Sequence, residues 1–225
     1  MTAGFFITGT DTGVGKTHAT AALLRGWGAQ GMRAVGMKPV ACGAAVHEGR
    51  VFWEDVDCLQ AAGNVDAPLA LRNPYRFEAP VAPHVAARAA GCRLELGVIR
   101  TAYDALAAQA DVVAVEGAGG WYVPLDERHT LADVPRELQL RVILVVGMRL
   151  GCINHALLTG RAIRGDGLEL AGWIANCVDP GMAAFADNLQ AVRERLEAPL
   201  LGVLPWRDDP AAERLHFVTH APSGL

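Results

Sequence analysis

Nine residues near the start of the chain, Gly9-Thr10-Asp11-Thr12-Gly13-Val14-Gly15-Lys16-Thr17, restrict the fold more than any other stretch. The apolar run Gly4–Thr8 leads into them and a helix-like segment, Lys16–Gln30, leads out. A strand that turns through closely spaced glycines into a helix aims backbone N–H groups and the positive end of the helix dipole at one point, which suits phosphate. In such a loop Lys16 reaches the β- and γ-phosphates of a nucleoside triphosphate, and the Thr17 hydroxyl ligates Mg2+. The match to G-x-x-x-x-G-K-[ST] is imperfect, because Thr10 stands at the first glycine position and Gly9 one residue before it. The alternative is a glycine-rich turn without a ligand.

Short, nearly unbroken apolar runs recur at Ala34–Val40, Asp111–Val115, Val142–Gly147, Leu170–Ala175 and Leu200–Leu204. Lack of alternation is expected of parallel strands covered on both faces. Helix-like segments lie among them. Lys16–Gln30 carries Ala19, Ala22, Leu23 and Trp27 on one face and stops at Gly31; Leu94–Gln109, Ile153–Arg164 and Met182–Leu196 read similarly. The alternation predicts an α/β fold, a doubly wound, mostly parallel sheet of the P-loop NTPase type, in one domain over residues 1–225. Asn64–Ala90, rich in Pro and Ala, reads equally as a substrate wall or as plain surface loop. The tail after Trp206 is uninformative.

Composition removes several classes. Hydrophobic residues make up 52% and charged ones 20%, which is globular and not disordered. A formal charge of −4 offers no basic face for nucleic acid or anionic membrane. The five cysteines (Cys42, Cys58, Cys92, Cys152, Cys177) are scattered and never spaced C-x-x-C, which argues against disulfides or zinc and for a reducing cytoplasm. No signal peptide is evident, and no run approaches the ~20 apolar residues of a membrane helix.

A nucleotide's Mg2+ usually takes a carboxylate besides the loop threonine. Glu116 ends the run Asp111–Val115 and enters Gly117-Ala118-Gly119-Gly120, so it falls at a strand's carboxyl end beside backbone that can approach a ligand. Asp55 and, less so, Asp57 are further candidates in a polar stretch; a solvated surface acid is the alternative for each. Lys38, in Met37-Lys38-Pro39-Val40, is a second cation at a strand end that would face the phosphates, unless it snorkels to solvent. At Leu150-Gly151-Cys152-Ile153-Asn154-His155 a strand gives way to a helix whose free N–H groups suit a carboxylate, with an ordinary capped turn as the alternative. Asn176-Cys177-Val178-Asp179 echoes the N-K-x-D base-reading element of GTPases, but Cys177 replaces the lysine and leaves Asn176 as the group placed to read a base.

Taken together, GTDTGVGKT (Gly9–Thr17), KPVACG (Lys38–Gly43), NPYRFEAPVAPH (Asn73–His84), VEGAGGWYVPL (Val115–Leu125), LGCINHALLT (Leu150–Thr159), GWIANCV (Gly172–Val178) and LLGVLPW (Leu200–Trp206) closely resemble the dethiobiotin synthetases, in family order and over nearly the whole chain. The resemblance implies a fold of the nitrogenase-iron-protein type, a homodimer, and ATP with Mg2+ as cofactors. It also implies the penultimate step of biotin synthesis, in which 7,8-diaminononanoate takes up CO2 (or bicarbonate) as a carbamate. The carbamate attacks the γ-phosphate to form a carbamic–phosphoric anhydride, and the neighbouring amine closes the ureido ring and expels phosphate. By the same resemblance Gly13, Val14, Gly15, Lys16, Thr17 and His18 hold the phosphates, and Thr17, Asp55 and Glu116 surround Mg2+. Lys16, Lys38 and Thr12 are catalytic. Gly117, Ala118 and Gly119 form a loop shared by nucleotide and substrate, and Asn176, Cys177, Pro205 and Trp206 cradle adenine. The substrate is met by Lys38, Cys42, Gly119 and the N–H groups of Gly151, Cys152, Ile153 and Asn154.

Two positions depart from the family pattern: Cys42 stands where Ser is common, and Arg149 where some members carry Lys. Two rival activities use the same loop. A switch ATPase acting through protein partners would place an extra lysine where this chain has Asp11. A small-molecule kinase gives no reason for the LGCIN and EGAGG stretches together.

Overall fold

The computed structural model of the protein describes residues 2–206 and 216–217. In chain order the elements are β1 (Ala3–Gly9), α1 (Lys16–Ala29), β2 (Ala34–Met37), β3 (Val40–Cys42), β4 (Ala45–His47), β5 (Arg50–Phe52), α2 (Glu54–Ala62), α3 (Leu69–Arg72), β6 (Tyr75–Phe77) and α4 (Pro83–Ala89). They continue with α5 (Leu96–Ala107), β7 (Val112–Glu116), α6 (Asp133–Leu138), β8 (Arg141–Met148), α7 (Cys152–Gly165), β9 (Leu170–Cys177), α8 (Phe185–Arg195), β10 (Leu200–Leu204) and β11 (His216–Phe217).

The main sheet runs β11-β10-β9-β8-β1-β7-β2, parallel throughout except for β11. Alternate residues of the central strands feed two cores. Phe5, Ile7, Val112, Ala114, Ile143 and Val145 face α1 and α2, while Phe6, Val113, Val115, Val142, Leu144 and Val146 face α5, α6, α7 and α8. Both faces are therefore apolar, which is why the strands read as unbroken hydrophobic runs. Trp27 completes the α1 face by stacking on Phe5, with ring centroids 5.6 Å apart.

The chain passes from β1 to the sheet edge at β2, returns to β7, and crosses β1 to reach β8. That reversal opens a crevice outside the carboxyl ends of β1 and β7, where ligands of doubly wound sheets bind.

One sequence expectation needs correction, and two open stretches gain a structure. Ala34–Val40 is not one strand. β2 ends at Met37, and Val40 opens β3, which pairs with β6 in a separate two-stranded sheet. Pro39 has no N–H to donate to a ladder, so pairing with β7 stops before it. The polar stretch holding Asp55 and Asp57 is the first turn of α2, where acids complement the helix dipole. Asn64–Ala90 is no plain loop, since it contains α3, β6 and α4. The tail beyond Trp206 lies mostly outside the described residues. Among the described residues no helix is long and apolar enough to cross a membrane, and all five cysteines are free.

Ile7, wholly buried at the centre of β1, tests this packing. Ile7→Ala is expected to cost about 2–5 kcal/mol in urea denaturation.

Candidate functional site

The loop between β1 and α1 is built from its backbone outward. The Thr10 N–H donates to the Val145 carbonyl at 3.0 Å, holding the loop against β8. Gly15 adopts φ 82°, a left-handed conformation that favours glycine, and no side chain caps α1 after it. The Asn176 amide sits where a Gly15 side chain would go, and its Nδ2 donates to the Val14 carbonyl at 2.8 Å. Asp11 is pinned by both oxygens: Oδ1 accepts the Thr12 N–H and Oδ2 accepts Arg149 Nη2, each at 2.7 Å. Lys16 Nζ donates to the Asp11 carbonyl at 3.1 Å.

Beside the loop lies a buried charge cluster. Strand order places β7 between β1 and β2, so Glu116, in register with Ile7, stands between Thr17 and Lys38. Glu116 is 0% exposed and Lys38 is 3% exposed. Lys38 Nζ donates to Glu116 Oε1 at 2.6 Å and to the Gly117 carbonyl at 3.1 Å, and pairs with Asp55 Oδ2 at 2.7 Å. Thr17 Oγ1 lies 2.8 Å from both Asp55 Oδ1 and Glu116 Oε1, a single hydroxyl proton between two carboxylates. The alternative of a lysine snorkelling to solvent is excluded for Lys38. Asp55 is presented by the N-terminus of α2, which Trp53 anchors by donating Nε1 to the Phe77 carbonyl at 3.0 Å.

These groups shift one another's ionisation. Burial works to lower the Lys38 pKa, but Glu116 and Asp55 outweigh it and hold the ammonium charged. Burial works to raise Asp55, and Lys38 more than reverses it. For Lys16 burial wins: desolvation, with Lys38 repulsion second, lowers it to about 8. Burial pushes the Cys42 thiol up, only partly offset by Lys38, so it adds no negative charge beside the lysine at neutral pH.

A cavity of about 630 Å³ opens over this floor. It brings together Thr12, Gly13, Gly15, Lys16, Thr17, Lys38, Cys42, Asp55, Glu116, Ala118 and Gly119. Pro80 to Pro83, from within Asn64–Ala90, line one side of it, and Val123, not singled out from the sequence, completes it. Other expected residues lie elsewhere. Val14 is buried beneath the loop, and Gly117 contributes its carbonyl to Lys38. Asn176 is buried, and its amide nitrogen donates to the loop's Val14 carbonyl. Cys177 ends β9, and Pro205 and Trp206 are exposed after β10. Gly151–Asn154 open α7, with Gly151 at φ 95°, but do not line the cavity, and neither does His18. Asp57 is exposed on α2 and takes no part. One sequence signal pointing to the site went unread: Lys16 and Lys38 are the chain's two lysines, against eighteen arginines.

Known proteins resemble this chain over most of its length. A family model described as an AAA domain matches residues 3–214. A curated relative from Nitrosospira multiformis, named ATP-dependent dethiobiotin synthetase BioD, is 50% identical over 96% of this chain and 93% of its own. One of the same name from Aromatoleum aromaticum is 54% identical over 89% of both chains. This chain belongs to the dethiobiotin synthetase family. Among solved structures, the septum site-determining protein MinD with Mg-ADP from Pyrococcus horikoshii shares the fold, with a TM-score of 0.57 at 17% identity over 93% of this chain and 83% of that one. The cell division protein FtsY of Thermotoga maritima gives a TM-score of 0.53 at 19% identity over 93% of this chain and 66% of that one. At such identities the likeness carries the P-loop NTPase fold alone.

The residues present fit a magnesium ion. Asp55 and Glu116 each offer hard oxygen donors within hydrogen-bond distance of the Thr17 hydroxyl, and Glu116 Oε2 is buried without a hydrogen-bond partner. A buried carboxylate oxygen left unpaired is costly unless a cation satisfies it.

Phosphate favours the charged form of Lys16, so nucleotide binding draws a proton onto it. ATP affinity is therefore expected to hold steady below about pH 8 and to fall by up to about tenfold per pH unit above it. Calorimetry in buffers of different ionisation enthalpy reads the proton uptake, and Lys16→Arg, charged throughout, should abolish the pH dependence.

Proposed function

We propose that this chain is an ATP-dependent carbon–nitrogen ligase that carboxylates 7,8-diaminononanoate with CO2 and closes the ureido ring of dethiobiotin, releasing ADP and phosphate. The observation that carries the reading is the convergence of Lys16, Lys38, Thr17, Asp55 and Glu116 on one walled cavity. In the proposed course an amine lone pair bonds to the carbon of CO2, and the proton it sheds leaves a carbamate. A carbamate oxygen then displaces ADP from the γ-phosphorus. The neighbouring amine attacks the carbonyl carbon, and phosphate departs with the C–O electron pair.

The protein's contribution is placement and charge. Both amines belong to one molecule, so well-oriented closure draws on effective molarities of ~10⁵ M or more. Lys16 and the loop N–H groups hold the phosphates, and Lys38, kept charged by its carboxylates, faces the carbamate and γ-phosphate oxygens. Thr17, Asp55 and Glu116 would hold Mg2+, whose double charge offsets that of the phosphates. Thr12 of the phosphate loop and Gly119 of the loop after β7 both line the cavity.

We further propose a homodimer. Gly151–Asn154 lie off the cavity of their own protomer, and Leu150 beside them is 91% exposed, apolar surface suited to a partner. The free cysteines favour a reducing cytoplasm. The switch-ATPase alternative is not favoured: Asp11, where such proteins carry a lysine, is committed to Thr12 and Arg149.

Incubation with ATP, Mg2+, labelled bicarbonate and diaminononanoate is expected to put label into an acid-stable product in step with ADP. ATP hydrolysis without label in product would overturn the ligase reading. Lys16→Ala is expected to abolish turnover, and Glu116→Gln to damage Mg2+-dependent activity far more than Asp57→Asn. An unchanged Mg2+ titration in the Glu116 variant would move the metal elsewhere.

A further inference from the structure

Lys38 occupies an awkward place in the backbone. It follows the last residue of β2, the edge strand of the main sheet, and precedes a proline, so no ladder neighbour takes up its peptide groups. Segment 72–75 does so instead. The Lys38 N–H donates to the Arg72 carbonyl at 2.8 Å, and Asn73 Nδ2 donates to the Lys38 carbonyl at 2.7 Å. The same nitrogen donates to the Tyr75 carbonyl at 2.9 Å, while the Tyr75 N–H donates to the Pro39 carbonyl at 3.1 Å.

Asn73 is 0% exposed, and its Oδ1 has no hydrogen-bond partner. Turning the amide over would set that oxygen against two carbonyls, so the orientation is forced and the orphan acceptor follows from it. A buried amide that leaves its acceptor unpaired is retained for its donors. Aspartate has no such donor, serine has one, and glutamine is a methylene too long.

We infer that Asn73 is the positioning residue for Lys38, fixing the backbone from which the ammonium reaches Glu116, Asp55 and Gly117. The inference rests on the proposed catalytic role of Lys38. Nζ meets its carboxylates at 2.6 and 2.7 Å, so a shift of the Lys38 backbone by a fraction of an ångström misplaces the charge. The segment that looked unpatterned in sequence thus serves both as cavity wall and as backbone clamp.

The test uses full-length protein with isotope-labelled lysine, whose two side-chain ammonium resonances separate by comparison with Lys38→Ala. Asn64 is the matched control. It bridges the other end of β2, accepting the Ala34 N–H at 2.7 Å and donating to the Met32 carbonyl at 2.9 Å. Asn73→Ala is expected to lower kcat about tenfold or more with KM for ATP within about twofold, and to move or broaden the Lys38 ammonium signal but not that of Lys16. Asn73→Ser, with one donor, should fall between, and it decides by the same readings if the alanine variant does not fold. Asn64→Ala should lower the thermal midpoint yet leave kcat and the Lys38 signal as they are. An unchanged Lys38 signal and kcat in a folded Asn73 variant would overturn the proposal, as would an equal kcat loss in Asn64→Ala. Should Lys38→Ala itself leave kcat intact, the catalytic reading of Lys38 fails, while the ammonium signal still decides the clamp.

Discussion

The contact of Lys38 with Glu116, at the edge of a largely apolar sheet, is the constraint around which the site is organised. A lone carboxylate at the end of β7 or a lone ammonium beyond β2 would carry a large desolvation penalty. Together, with Asp55 and the Thr17 hydroxyl, they become a compact polar cluster at the bottom of a cavity. Losing one member strands the others, and breaking a buried pair in this way typically costs about 3–5 kcal/mol. The cluster therefore ties the Gly9–Thr17 loop, α2, the end of β7 and Lys38 into one unit.

Each neighbouring feature serves that unit. Trp53 anchors the helix end that presents Asp55, Asn176 supports the phosphate loop from below, and Asp11 with Arg149 closes its outer side. Glycine is required at position 15 twice over, by backbone angle and by the Asn176 amide packed against it. The polar side chains around the loop thus act largely on backbone, leaving its N–H groups free to face phosphate.

Much of this was legible beforehand because it is local. The strand–glycine–helix passage at Gly9–Thr17 and the two-sided apolar runs identified loop, sheet and fold class, with strand limits displaced by a residue or two. Glu116 was identifiable as an acid at a strand's carboxyl end. Residues 34–40 misled because hydrophobicity continues through the bend, while the missing proline N–H and the separate partner strand β6 end the pairing. Segment 64–90 gave no period because its helices and strand are too short, at three to seven residues, to establish one.

By itself, then, the amino-acid order determined the phosphate loop, the parallel sheet and the family, since each is written in contiguous motifs. Tertiary structure alone decided which residues meet. The strand order β1-β7-β2 sets Glu116 between Thr17 and Lys38, groups separated by tens of residues in the chain. It also set Pro80 to Pro83 along the cavity and Asn176 beneath the loop, because contacts across distant segments follow from topology and leave no periodic trace in sequence.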